Sequence, residues 1–137
     1  MRILLGTAVV LKALTGGIAS AEDPGAAIRE VISEQIAAFQ AHDVAAAFAF
    51  ASPDVKRTFV DPGRFARMVR NDYPMVWEPR GFRFSGLSDR GGRPVQGVLV
   101  TDKAGALHVL DFEMVPSDGG WLVNAVRHRR GDDDAGA

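Results

Sequence analysis

The chain has no cysteine. That excludes disulfide staples, thiol nucleophiles, cysteine metal sites and lipid attachment through sulfur. Long apolar runs are also missing. The stretch Ile3 to Leu11 falls far short of the ~20 residues a membrane-spanning helix needs, and Lys12 closes it. No G-x-x-x-x-G-K or G-x-G-x-x-G is there to cradle phosphate, and no serine sits in G-x-S-x-G. Nucleotide binding by those loops and nucleophilic hydrolysis therefore have no support. Tyrosine occurs once, at Tyr73, and lysine only at Lys12, Lys56 and Lys103.

The first 21 residues carry the most information. Met1-Arg2, the apolar run and Ala19-Ser20-Ala21 have the order of a secretory signal, with cleavage expected after Ala21. The protein is then periplasmic or secreted, with no integral membrane segment left after processing. No Arg-Arg pair precedes the run, so the general secretory route is expected. Arg2 and Lys12 fall in that segment, so the remaining 116 residues hold 14 basic and 17 acidic side chains and a net charge of −3. A weakly acidic chain is a poor general binder of nucleic acid, because that affinity rests on neutralising phosphates. Residues 131–137, with Asp132-Asp133-Asp134, are expected to form a disordered acidic tail. That leaves 22–130 as one domain.

Within it, helical periodicity comes first. Ile28, Val31, Ile32, Ile36 and Phe39 recur at three and four and predict one amphipathic helix from Ala26 to Ala41. Asp43 caps a second, short helix; Ser52-Pro53 and Asp61-Pro62 are further start signals, the latter opening a helix through Tyr73. Tyr73-Pro74 is expected to end the helical half. The pattern then changes to period two, predicting strands over 80–87, 93–101, 107–116 and 121–130. Turn chemistry lies at Asp102-Lys103-Ala104-Gly105 and Ser117-Asp118-Gly119-Gly120. Helices followed by an antiparallel meander define an α+β class, with the helices packed on the sheet.

The last hairpin has a predicted register. Pro116 faces Trp121, Met114 faces Val123 and Phe112 faces Ala125. His108, Leu110, Phe112, Met114, Trp121, Val123, Ala125 and Arg127 then share the helix-facing side. Val109, Asp111, Glu113, Val115, Leu122, Asn124, Val126 and His128 share the other.

The ordered motifs are Val31-Ile32-x-x-Gln35-Ile36-x-Ala38-Phe39, Asp43, Ala47-Phe48-x-Phe50-Ala51-Ser52-Pro53, Phe59 and Phe65-x-x-Met68-Val69. Tyr73-Pro74-x-Val76, Pro79, Gln96-x-Val98-x-Val100-Thr101-Asp102 and Gly120-Trp121-x-Val123 follow. As a set they resemble a bacterial domain of unknown function, number 4864, over about residues 28–126. The arrangement also resembles the nuclear-transport-factor-two-like superfamily, with its ketosteroid-isomerase-like and SnoaL-like members. The resemblance implies a cone-shaped, cystatin-like or SnoaL-like fold: helices wrapped by a strongly curved sheet, with a pocket inside. It departs at Leu122 and Ala125, where a polar residue and a glycine are usual. Steroid isomerases of this shape use an aspartate base and a tyrosine-containing oxyanion hole. Here Tyr73 lies on a later helix and no acid matches that base, so no catalytic residue is carried over.

The residues themselves nominate a pocket. Gln35 sits at the centre of the first helix's apolar face, where a buried amide must find a partner, either backbone or ligand. Tyr73 and Trp77 flank the passage from helix to sheet, where amphipathic aromatics suit a rim or cap a core. His108 and Arg127 lie toward the ends of the helix-facing rows and are candidates for an anion contact. A metal site is not expected, because the register separates His108 from His128. Asp111 and Glu113 are read as a solvated row. The expectation is a non-catalytic binder of a small apolar or amphipathic molecule, or of a protein partner, with no cofactor. A proton-transfer enzyme of the isomerase or hydratase type and a structural homodimer through the outer sheet face are the alternatives.

Overall fold

The structure, a computed structural model, describes residues 23–129. The expected leader with its cleavage point after Ala21, and the acidic tail 131–137, lie outside the described residues. Five helices are followed by four strands: α1 (Pro24–Gln40), α2 (Val44–Ala49), α3 (Pro53–Phe59), α4 (Pro62–Asp72) and α5 (Pro74–Trp77), then β1 (Gly81–Arg90), β2 (Arg93–Thr101), β3 (Leu107–Ser117) and β4 (Gly120–Arg129). This is an α+β fold with an antiparallel sheet in the order β1-β2-β3-β4.

The helix starts follow from side-chain chemistry. Asp23, Asp43, Ser52 and Asp61 each accept a hydrogen bond from the backbone N–H three residues on, at 3.0, 3.1, 3.3 and 2.8 Å. Each satisfies a donor that the first helical turn would otherwise leave bare. Pro53 and Pro62 stand at first helical positions, where a missing N–H costs nothing. Pro74 does the same for α5, and this corrects the expected end of the helical half at Tyr73-Pro74. The proline pushes only Tyr73 out of the α region, to φ −133° and ψ 56°, and one more turn follows.

Two hairpins have two-residue loops with positive φ at both positions. Gly91 and Gly92 stand at 61° and 90°, and Asp118 and Gly119 at 43° and 79°. Such turns match the right-handed twist of the flanking strands.

The β3–β4 hairpin starts in the predicted register, with Pro116 opposite Trp121 and Met114 opposite Val123. It then departs. Glu113 is opposite Ala125, so Asn124 is an extra residue, and from there Phe112 faces Val126. A single inserted residue turns every later side chain of β4 to the other face. Val126 and His128 therefore join the helix-facing side. Arg127 joins the outer side opposite Asp111, where it is exposed.

The core lies between the helices and this face. Ile28, Ile32, Ile36 and Phe39 of α1 and Phe65 and Val69 of α4 pack with Val98, Val100, Leu110, Phe112, Met114 and Val123 of the sheet. Each fully buried side chain of this size contributes roughly 1.5–3 kcal/mol relative to exposure. On the outer face Asp111 is paired with Arg129, and Glu113 with Arg93 at 3.1 Å. These two carboxylates are ion-paired partners of arginines, which corrects the solvated row.

The free edge of β4 is partly closed. Val123 donates its N–H to Phe50 and accepts from the N–H of Ser52, both at 2.8 Å, and Val126 accepts from the Tyr73 hydroxyl at 2.9 Å. Among the described residues no helix is long and apolar enough to cross a membrane.

Candidate functional site

A cavity of about 360 Å³ lies between α1, α3, α4 and the bulged part of β4. Its wall is mostly apolar: Phe39, Val55, Phe59, Phe65, Met68, Val69, Val76, Phe112, Val123 and Val126 line it. The helical and strand periodicities explain the set. Phe65, Met68 and Val69 share one side of α4, while Arg64, Arg67 and Arg70 take the opposite, exposed side.

Four lining residues are polar. Gln35 is 2% exposed, and its Nε2 donates to the Ala47 carbonyl at 3.1 Å. No described residue hydrogen-bonds its Oε1, which leaves an acceptor at the cavity wall. The Tyr73 hydroxyl donates to Val126. Asn124 is committed on both sides of its amide: Oδ1 accepts from Ser52 Oγ and Nδ2 donates to Glu113 Oε2, both at 2.8 Å. Asp72 is exposed at the lip. No lysine, arginine or histidine is among the lining residues.

Asn124 does more than line the wall. Ser52 caps α3 while donating to Asn124, and Glu113 accepts from both Asn124 and Arg93. The chain of bonds thus ties a cavity helix to the bulge and on to β2. Donation from Asn124, then from Arg93, holds the Glu113 carboxyl below its ordinary pKa.

The five candidate residues divide into three places. Gln35 and Tyr73 meet in the cavity. Trp77 and His108 instead line a separate polar groove of about 460 Å³, with Arg70, Glu78, Asp102 and Lys103. Arg127 lies in neither. The pairing of His108 and Arg127 as an anion contact is thereby overturned, because the Asn124 bulge puts Arg127 on the outer face.

In the groove Trp77 stacks on His42 at 5.0 Å with the rings 8° apart, and the Arg70 guanidinium lies 5.5 Å from its ring centre. Glu78 pairs with Lys103, whose hydrogen bond lowers the Glu78 pKa. His108 is bonded on both ring nitrogens, to Asp102 at 2.8 Å and to His128 at 3.1 Å. The expected separation of His108 and His128 is thus corrected by the same bulge.

Sequence reasoning missed Asn124, Phe59 and Asp72 as parts of the cavity. Asn124 did leave a signal: asparagine is depleted in strand interiors, and here it stands between Val123 and Ala125.

The family model described as "Domain of unknown function (DUF4864)" matches residues 21–135. The chain belongs to that family. No curated protein matches it, and no solved structure matches it.

Proposed function

We propose that this chain is an exported, non-catalytic binding domain for a small, neutral, largely apolar molecule bearing a hydrogen-bond donor, such as a hydroxyl or amide N–H. The observation that carries this reading is the 360 Å³ cavity, with apolar walls and the free Oε1 of Gln35. Its volume is at the lower end of small-molecule sites, roughly 300–1,000 Å³. With no cation in the wall and Asp72 at the lip, an anion has no counter-charge. An apolar ligand gains by burial, and a donor that reaches Gln35 gains a bond in a low-dielectric site. Helices followed by an antiparallel sheet, with a pocket between them, support the further reading that the family belongs with the nuclear-transport-factor-two-like proteins. The proton-transfer reading has less behind it. Among the lining residues the one carboxylate, Asp72, is exposed, and the Tyr73 hydroxyl proton is engaged with Val126.

Native mass spectrometry of the full chain from a bacterial host tests the proposal. A reproducible adduct is expected, weakened by Gln35→Leu and abolished by Met68→Trp, which fills the cavity. An unliganded spectrum, together with no shift of cavity methyl resonances across a panel of small alcohols and amides, would reject it.

A further inference from the structure

At His108, on the wall of the groove, lies an arrangement the cavity does not use. His108 Nδ1 and His128 Nε2 face each other across β3 and β4 at 3.1 Å. Two imidazole nitrogens at this separation share one proton or share one cation. Nitrogens bound to a single tetrahedral ion at 2.0–2.1 Å lie about 3.3 Å apart, and cis to one another in a square plane about 2.9 Å. The observed spacing falls between those two values. Chelation requires the two rings to turn so that both lone pairs converge on one point, with little change in the nitrogen separation.

We propose that His108 and His128 form an open site for a divalent transition-metal ion of the zinc or copper kind, with Asp102 orienting His108 from behind. Imidazole nitrogen suits these ions. Asp102 sits in the β2–β3 turn, where its Oδ1 accepts from the N–H groups of Ala104 and Ala106, both at 2.9 Å. That fixes the carboxylate and leaves Oδ2 for the His108 Nε2–H at 2.8 Å. With its proton on Nε2, His108 turns the Nδ1 lone pair toward His128. A carboxylate behind a ligating histidine is the common way to fix its tautomer and ring orientation.

Two further observations define the kind of site. His128 is exposed, so an ion has a path in. Among the described residues no group of three or more His, Asp or Glu side chains converges on one point. The remaining coordination positions therefore fall to water or to an incoming ligand. This makes an exchangeable site, unlike a closed structural one. The bulge at Asn124 is the cause: without it the strand would present Arg127 here and send His128 to the outer face.

The test is titration of the full, untagged chain with zinc chloride alone in a non-chelating buffer. Heat is read by calorimetry, and the imidazole nitrogens by long-range proton–nitrogen spectra. One equivalent is expected, with His108 Nδ1 and His128 Nε2 shifting together. His128→Gln, an exposed change that leaves the fold intact, weakens binding at least ten-fold, and His108→Gln does the same. Asp102→Asn weakens it roughly ten-fold while both rings still shift. No binding up to about 1 mM zinc, a bound state worth less than about 4 kcal/mol, overturns the proposal. So does binding that survives both histidine variants, which would put the ion on His42 and Glu78 or on Asp132, Asp133 and Asp134.

Discussion

The hydroxyl of Tyr73 donates to the main-chain carbonyl of Val126, 53 residues away, at 2.9 Å. This bond joins the junction of α4 and α5 to the last strand beyond its bulge. It also closes one side of the cavity. Tyr73→Phe removes only the hydroxyl, so the ring packing stays. The expected cost is about 1 kcal/mol, because a part-buried carbonyl loses its partner. Urea unfolding measures it, and an unchanged midpoint would mean that the bond contributes nothing net.

Val60 carries the most strained backbone among the described residues. Its φ is 74° and ψ −50°, and the N–H of Asp61 donates to the Phe59 carbonyl at 2.9 Å. That is a tight three-residue turn which β-branched residues adopt only under strain. The turn is forced by two helices meeting: α3 ends at Phe59 and Asp61 must cap α4. Glycine takes positive φ without strain, and the Val60 side chain is 64% exposed, so little packing is lost. Val60→Gly should raise stability by about 1 kcal/mol in thermal or chemical unfolding. A destabilised variant would show that the valine side chain matters more than its strain.

Asn124 is predicted to matter more than an ordinary strand residue. Asn124→Ala breaks its bonds to Ser52 and Glu113 together and should cost about 2 kcal/mol. The double variant with Ser52→Ala should cost less than the two single changes summed, because both remove one shared bond. Additive costs would deny the coupling.

Acid should weaken the fold partly through Glu113. Its pKa is lowered in the folded chain by Asn124 and Arg93, against about 4.3 for a free glutamate. A depressed carboxylate contributes its stability above the unfolded value and loses it as pH falls through the folded one. Stability should therefore drop on acidification below about pH 5. Glu113→Gln should be less stable at neutral pH and show a shallower acid slope. An identical slope would assign the acid sensitivity to other carboxylates.

Gln35→Leu separates folding from ligand contact. The Ala47 carbonyl keeps the N–H of Phe50 at 3.3 Å after the amide is gone, and leucine suits the apolar surroundings. Stability should change by less than about 1 kcal/mol while any ligand affinity falls. A collapse of the fold would make Gln35 a structural residue first.

Much of the fold was legible because it rests on local rules. Asp43, Ser52 and Asp61 are caps by their chemistry alone, and the Asp118-Gly119 turn by its demand for positive φ. The start of the last hairpin followed from that turn. Its far half did not, since nothing in an alternating pattern counts an extra residue. Unbroken alternation makes Asn124 one more outward side chain and so puts Arg127, Val126 and His128 on the wrong faces. The candidate site was legible at Gln35, where helical spacing fixes the buried face, and at Tyr73, where the following proline marks the junction, because neither depends on strand register. Trp77 was separated from the cavity by α5, a single turn too short to show a period. The groove needed Asp102, brought back onto His108 by a turn whose side-chain bonds no spacing rule describes.

The contacts of Phe50, Ser52 and Tyr73 with β4 give the sheet a direction. On that side the backbone groups of Val123 and Val126 are already taken. On the other side β1 pairs only with β2 among the described residues. An additional strand therefore finds its longest open edge alongside Gly81–Arg90. There it meets the exposed Arg83, Ser85, Ser88, Asp89 and Arg90. Charges of both signs along that edge select against indiscriminate strand addition.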